Sequence, residues 1–197
     1  MRRTSRFFKQ LRHFIVTNSR LFLFLALLLS GVAIGCRLEP RVPKSGIALL
    51  QSLSYSKTTF SGIGDAISVF WRGSLVSLAA IGLLMLCGMS LCGIPVVLCI
   101  PLLFGVWTGL FESFLLSQSG TKALLLALPG TLLTVWAVLI ACAEAFRLTL
   151  RLVAQVMPGS PKTGVWRDFR LFFLRFLLCF LLALLASAIQ TTATVLL

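Results

Sequence analysis

From Gly73 to Phe111 the chain reads GSLVSLAAIGLLMLCGMSLCGIPVVLCIPLLFGVWTGLF, 39 consecutive residues without a charge. At a rise of 1.5 Å per residue, one helix of that length would measure about 58 Å, roughly twice the hydrocarbon core of a bilayer. The stretch must therefore be two spans joined by a reversal. Its midpoint is residue 92, where the chain reads Cys92-Gly93-Ile94-Pro95. Glycine admits an unusual backbone angle and proline cannot continue a helix from the preceding turn, so a tight hairpin is predicted at Gly93, Ile94 and Pro95.

Working outward, each flank of this stretch carries further apolar runs bounded by charge. Arg2, Arg3, Arg6, Lys9, Arg12 and Arg20 precede the uncharged run Leu21 to Cys36, with no acid among them. That run reads as a first span, and residues 1–20 as a basic cytoplasmic tail. Ala33-Ile34-Gly35-Cys36 resembles a degenerate lipoprotein cleavage site, but the basic region is long for a signal peptide and further spans follow. On the other side, Glu112 and the polar link Ser117 to Lys122 separate the third span from a fourth. Pro129 falls in the first two turns of that fourth span, where a modest kink is expected and no break. The spans predicted are about 21–37, 73–92, 94–114, 123–145 and 172–195. The fold class is all-α, a polytopic membrane bundle of about five helices in a single transmembrane domain.

Composition agrees with this reading. Hydrophobic residues make up 58% of the 197 and charged residues 12%, about half the share usual in soluble domains. The 18 Lys and Arg against 5 Asp and Glu would suggest nucleic acid in a soluble protein. Here the charges lie between apolar runs, so they read as topology signals and contacts with membrane lipids, and no nucleic-acid partner is expected. Cys36, Cys87, Cys92, Cys99, Cys142 and Cys179 all lie in or beside apolar runs and read as buried thiols. His13 is the only histidine and has no paired ligands around it, so no metal or cofactor is expected.

Between the first two spans, residues 38–72 read as an outer segment. Within it Phe60, Ile63, Ile67 and Phe70 share one helical face, which predicts an interfacial amphipathic helix. In a five-span order the basic tail and the loop holding Arg147, Arg151, Lys162, Arg167 and Arg170 fall on one side. With Arg175, that side holds twelve of the 18 positive charges, so it is expected to be cytoplasmic, with the amino terminus inside and the carboxyl terminus outside.

The chemistry available within the spans is sparse. No nucleophile stands with a base, and no paired carboxylates or metal ligands appear, so no catalytic residue is assigned and no enzyme is expected. Glu112 and Glu144 read as interfacial charges, and Glu144 with Arg147, three residues on, is a candidate ion pair at the membrane boundary. Gly105 and Gly109 form a GxxxG pair whose simplest role is close helix packing within the monomer, an oligomer face being the other.

Met89-Ser90-Leu91-Cys92-Gly93-Ile94-Pro95-Val96-Val97, followed by Phe104-Gly105-Val106-Trp107-Thr108-Gly109, resembles the GIP turn and glycine-bearing next helix of the stage II sporulation protein M family. The basic N-terminus, the outer segment, Leu128-Pro129 early in the fourth span and the basic loop before the last span follow the family's order over nearly the whole chain. Where the family often carries an amide or histidine after the Leu-Pro, this chain has Gly130 and Thr131. The resemblance implies a non-enzymatic scaffold or anchor in the cell membrane. Its implied partners are cell-wall remodelling proteins such as septal peptidoglycan hydrolases, recruited as in forespore engulfment during sporulation. A membrane subunit of a transporter or permease is the alternative.

Overall fold

The computed structural model describes residues 19–39, 63–90, 93–156 and 165–195. All are helical except for short turns, and no strand occurs among them. Helix α1 is Ser19–Leu38 and α2 is Ile63–Gly88. A helical run Gly93–Val156 is broken at Gly120, where φ 76° and ψ −175° lie outside helical space, giving α3 (93–119) and α4 (121–156). Helix α5 is Val165–Val195. Five segments are long and apolar enough to cross a membrane: Leu21–Leu38, Phe70–Gly88, Gly93–Ser117, Gly120–Ala154 and Phe169–Thr192. The chain is a multi-pass membrane protein of the all-α class.

The uncharged stretch does fold back on itself, with a centre slightly earlier than predicted. Helix α2 ends at Gly88, and Gly93 is already the first residue of α3. The turn is closed by backbone bonds from the Met89 amide to the Leu86 carbonyl (3.2 Å), from Ser90 to Cys87 (3.0 Å) and from Gly93 to Ser90 (3.1 Å). Gly93 is also needed for a different reason from the one expected. The only glycine with positive φ among the described residues is Gly120. Gly93 is required because a Cβ there would overlap the Cys87 carbonyl oxygen. Pro95 falls in the first turn of α3, where its missing N–H costs no helical bond.

Other boundaries move as well. The amphipathic helix expected within 38–72 does not stand apart: from Ile63 onward it is the beginning of α2, while Phe60 lies outside the described residues, as do the basic tail 1–18 and the loop 157–164. The polar link 117–122 stays helical apart from Gly120, because a single left-handed glycine is enough to redirect the chain. Since α4 begins at 121 and runs to 156, Pro129 sits beyond its second turn, not within it. The backbone nonetheless remains helical through both Pro101 and Pro129.

The core runs the length of the bundle, from Phe24 and Leu28 of α1 through Leu84 of α2, Val97 of α3 and Val138 of α4 to Phe176 of α5. Outside it, Leu86, Leu103, Leu125, Leu174 and Leu177 are more than half exposed. In water each such side chain would forgo about 1.5–3 kcal/mol of burial, a cost that lipid removes. Close approach of α1 and α3 uses two small-residue pairs. A Cβ at Gly31 or Gly35 would strike the carbonyl oxygen of Leu102 or Val106, and one at Gly105 or Gly109 would strike that of Leu28 or Val32. The GxxxG pair of α3 thus packs within the monomer, against a second such pair on α1. The Cys36 thiol adds a 3.6 Å contact to the Gly109 carbonyl.

This topology puts Ser90 and Ser117, both exposed, at opposite ends of α3. In a chain whose own cysteines have been replaced, Ser90→Cys should react with a membrane-impermeant maleimide from one side only and Ser117→Cys from the other. Labelling of both from the same side would mean that α3 does not cross.

Candidate functional site

The sequence gives α5 a polar stripe inside an apolar helix: Ser187, Gln190 and Thr191 at spacings of three and four, hence on one face. In the fold that face turns inward, with Ser187 and Thr191 buried. The Ser187 hydroxyl donates across the interface to the Phe70 carbonyl of α2 at 3.0 Å, and Thr191 donates back to Ser187 in its own helix at 2.9 Å. Opposite lie the buried Ser74 and Ser77 of α2 and Thr131 and Thr134 of α4. Ser74, Thr131 and Thr134 donate to carbonyls one turn back, namely Trp71, Leu128 and Gly130. Self-satisfied hydroxyls of this kind present an oxygen to the interior without leaving a donor unmet.

Ser77, Thr131, Thr134 and Gln190 line a cavity of about 60 Å³ together with Arg72, Phe104, Trp107, Thr108 and Phe111, among others. It has room for a few water molecules, given the 10–15 Å³ that one needs, and not for a metabolite. Gly130 makes the cavity possible, since a Cβ there would run into the Gln190 side chain. The Gln190 side chain of α5 thus lies against Gly130, the residue after Leu128-Pro129, from across the bundle.

Thr108 and Thr131 also border a larger apolar groove of about 370 Å³ between α1, α3 and α4, walled by Leu25, Leu29, Leu132 and Trp136. Glu112 is the one carboxylate on this groove. The apolar segment continues five residues past Glu112 to Ser117, about 7.5 Å at helical rise. Two cavities thus meet at Thr108 and Thr131, the smaller one carrying several hydroxyls and the Gln190 amide, the larger one apolar and bordered by exposed side chains.

At the opposite end of the bundle, beside the α2–α3 turn, the predicted Glu144–Arg147 pair is not formed. The Glu144 carboxylate accepts a 2.5 Å hydrogen bond from Arg175 of α5. Glu144 is only 22% exposed and packs toward α5, whereas Arg147, three residues on, turns outward and is exposed. Thr149, fully buried, ties this end together by donating to its own helix at Ala145 (2.9 Å) and to Gly88 at the end of α2 (3.2 Å). Neither partnership was readable from spacing along one helix, because both depend on which helices become neighbours.

Of the other predicted positions, Gly93, Ile94 and Pro95 open α3 beside this end, and Pro129 is exposed on α4. Among the described residues no three His, Cys, Asp or Glu side chains come together as a metal site would require. No protein-family model matches the chain, and no characterised protein or solved structure matches it.

Proposed function

We propose that this chain is a non-enzymatic scaffold of the cell membrane, which localises cell-wall remodelling partners such as septal peptidoglycan hydrolases, as in forespore engulfment. One observation carries the reading. The stretch on which the resemblance to the stage II sporulation protein M family rests coincides with the chain reversal: the backbone amide of Ser90 closes the turn, Gly93 clears the Cys87 carbonyl and Pro95 stands in the first turn of α3. A motif that falls on the reversal, with a glycine whose Cβ would overlap backbone, is a stronger basis for likeness than matching apolar composition. The amino terminus then lies in the cytoplasm and the carboxyl terminus outside, because twelve of the 18 positive charges fall on the inner side. The lipid-facing groove beside α1 suits a role in which other membrane proteins are held.

Deletion of the gene in a spore-forming host should stall engulfment, and the tagged chain, extracted in mild detergent, should bring a peptidoglycan hydrolase with it while cleaving no peptidoglycan itself. Normal engulfment in the deletion strain would refute the scaffold reading. A second reading, as the membrane subunit of a transporter, draws on the Arg72 to Gln190 cavity and its junction with Glu112. Its mark is substrate-dependent flux in reconstituted vesicles, and a cavity of this size limits that substrate to a small ion unless the bundle opens.

A further inference from the structure

Seven hydroxyl side chains are buried among the described residues, and hydrogen bonds account for six of them. Ser74, Thr131, Thr134, Thr149 and Thr191 donate to carbonyls of their own helices, and Ser187 donates to the Phe70 carbonyl across the interface. Ser77 of α2 is the exception. It is 8% exposed and makes no hydrogen bond among the described residues. A buried hydroxyl without a partner is costly in any protein interior, and more so where lipid in place of water surrounds the helices. Ser77 lines the cavity of about 60 Å³ that Thr108 of α3 and Thr131 and Thr134 of α4 also line.

We propose that this cavity binds ordered water, with the Ser77 hydroxyl as its anchor on α2. The other hydroxyls suit that ligand. Thr108 donates to the Gly105 carbonyl at 2.9 Å, as Thr131 and Thr134 donate to Leu128 and Gly130, so each of the three has its proton committed and keeps lone pairs for a ligand. Water supplies what both sides lack: its hydrogens go to threonine oxygens, and its oxygen accepts the Ser77 proton. Ions fit less well. No carboxylate lines the cavity while the Arg72 side chain does, so a cation has no counter-charge there. An anion would face three threonine oxygens with no proton to offer it. Buried water of this kind, held by groups that have no other partner, is a structural part of a protein, and here it links α2 to α3 and α4. The inference is independent of the scaffold reading, since it concerns what holds the bundle together and not what the chain recruits.

The test is X-ray radiolytic footprinting of the full chain in detergent, in which hydroxyl radicals form from water and oxidise the side chains beside it. Phe104 and Phe176 are both buried, and of the two only Phe104 lines the cavity. Phe104 should be oxidised roughly fivefold faster than Phe176. Ser77→Val, which puts methyl groups where the hydroxyl was, should bring the two rates within about twofold of each other. Ser77→Thr has nearly the same shape as that variant but keeps a hydroxyl, so it should leave Phe104 within about twofold of wild type. Exchanging chloride for gluconate in the buffer should change none of these rates. If neither variant folds, the wild-type comparison of Phe104 with Phe176 decides alone. Phe104 as slow as Phe176, a ratio unmoved by Ser77→Val, an equal loss in Ser77→Thr, or a rate that follows the chloride concentration would overturn the proposal, the last by assigning the cavity to an anion.

Discussion

Gly35→Ala should cost about 1–3 kcal/mol of stability while Gly82→Ala, the same chemical change on α2, should cost nothing and gain up to about 1 kcal/mol. The difference follows from what each added methyl meets. At Gly35 it meets backbone: the Val106 carbonyl oxygen, its carbon at 3.1 Å and the Leu110 nitrogen at 2.9 Å. None of these can rotate aside, so α1 must move away from α3. At Gly82 nothing lies within 4 Å, and alanine only improves helix propensity. Unfolding in detergent would show Gly35→Ala melting roughly 2–12 °C lower, at about 2–4 °C per kcal/mol for a chain of this size. Gly31→Ala should behave alike, and the pair together less than additively, since both relieve the same contact. A Gly35→Ala protein as stable as wild type would mean that α1 is not seated on α3. Loss of a dimer with monomer stability intact would mean that the glycines serve association between chains.

That contrast also shows what can be read from a linear sequence. The helix count and class follow from the lengths of uncharged runs, because lipid requires every backbone group to be met within a helix and so leaves few options. The hairpin near residue 92 follows from the same length argument. Pairings between helices are of another kind. Gly105 and Gly109 were visible as a motif, but their counterparts Gly31 and Gly35 become meaningful only once α1 is known to lie along α3. Arg175 and Glu144 are separated by 31 residues, and nothing in either local sequence favours that bond over the nearer Arg147. Glu112, Glu144 and Arg72 read as boundary charges in the sequence, and the helices continue past all three and place those side chains on grooves and clefts. The stripe Ser187, Gln190 and Thr191 is legible by periodicity, and it marks the buried face of α5, of which Gln190 reaches the smaller cavity.

The second large effect belongs to the hairpin, where Gly93→Ala should be severe and Pro95→Ala mild. A methyl at Gly93 would coincide with the Cys87 carbonyl oxygen and come within 2.8 Å of its carbon. That same oxygen accepts the Ser90 amide that closes the turn, so moving it costs a turn bond as well as producing overlap. Opening the turn also draws Gly88 away from Ala145, which a Cβ at Gly88 would meet at 3.1 Å, and from the Thr149 hydroxyl at 3.2 Å. A methyl group in a packed site typically costs about 1–3 kcal/mol, and the lost turn bond adds about 1 kcal/mol. Gly93→Ala should therefore lose about 2–4 kcal/mol. Pro95 is exposed and in the first turn of α3, where alanine restores an N–H that needs no helical partner. Its replacement should cost only the stiffness that proline imposes on the unfolded chain, about 0.4–1 kcal/mol. Limited proteolysis would separate the two, with Gly93→Ala cut near the turn and Pro95→Ala as resistant as wild type. Equal sensitivity of both would show that the proline, by stopping a helix, governs the reversal, and that the fit of Gly93 against Cys87 does not.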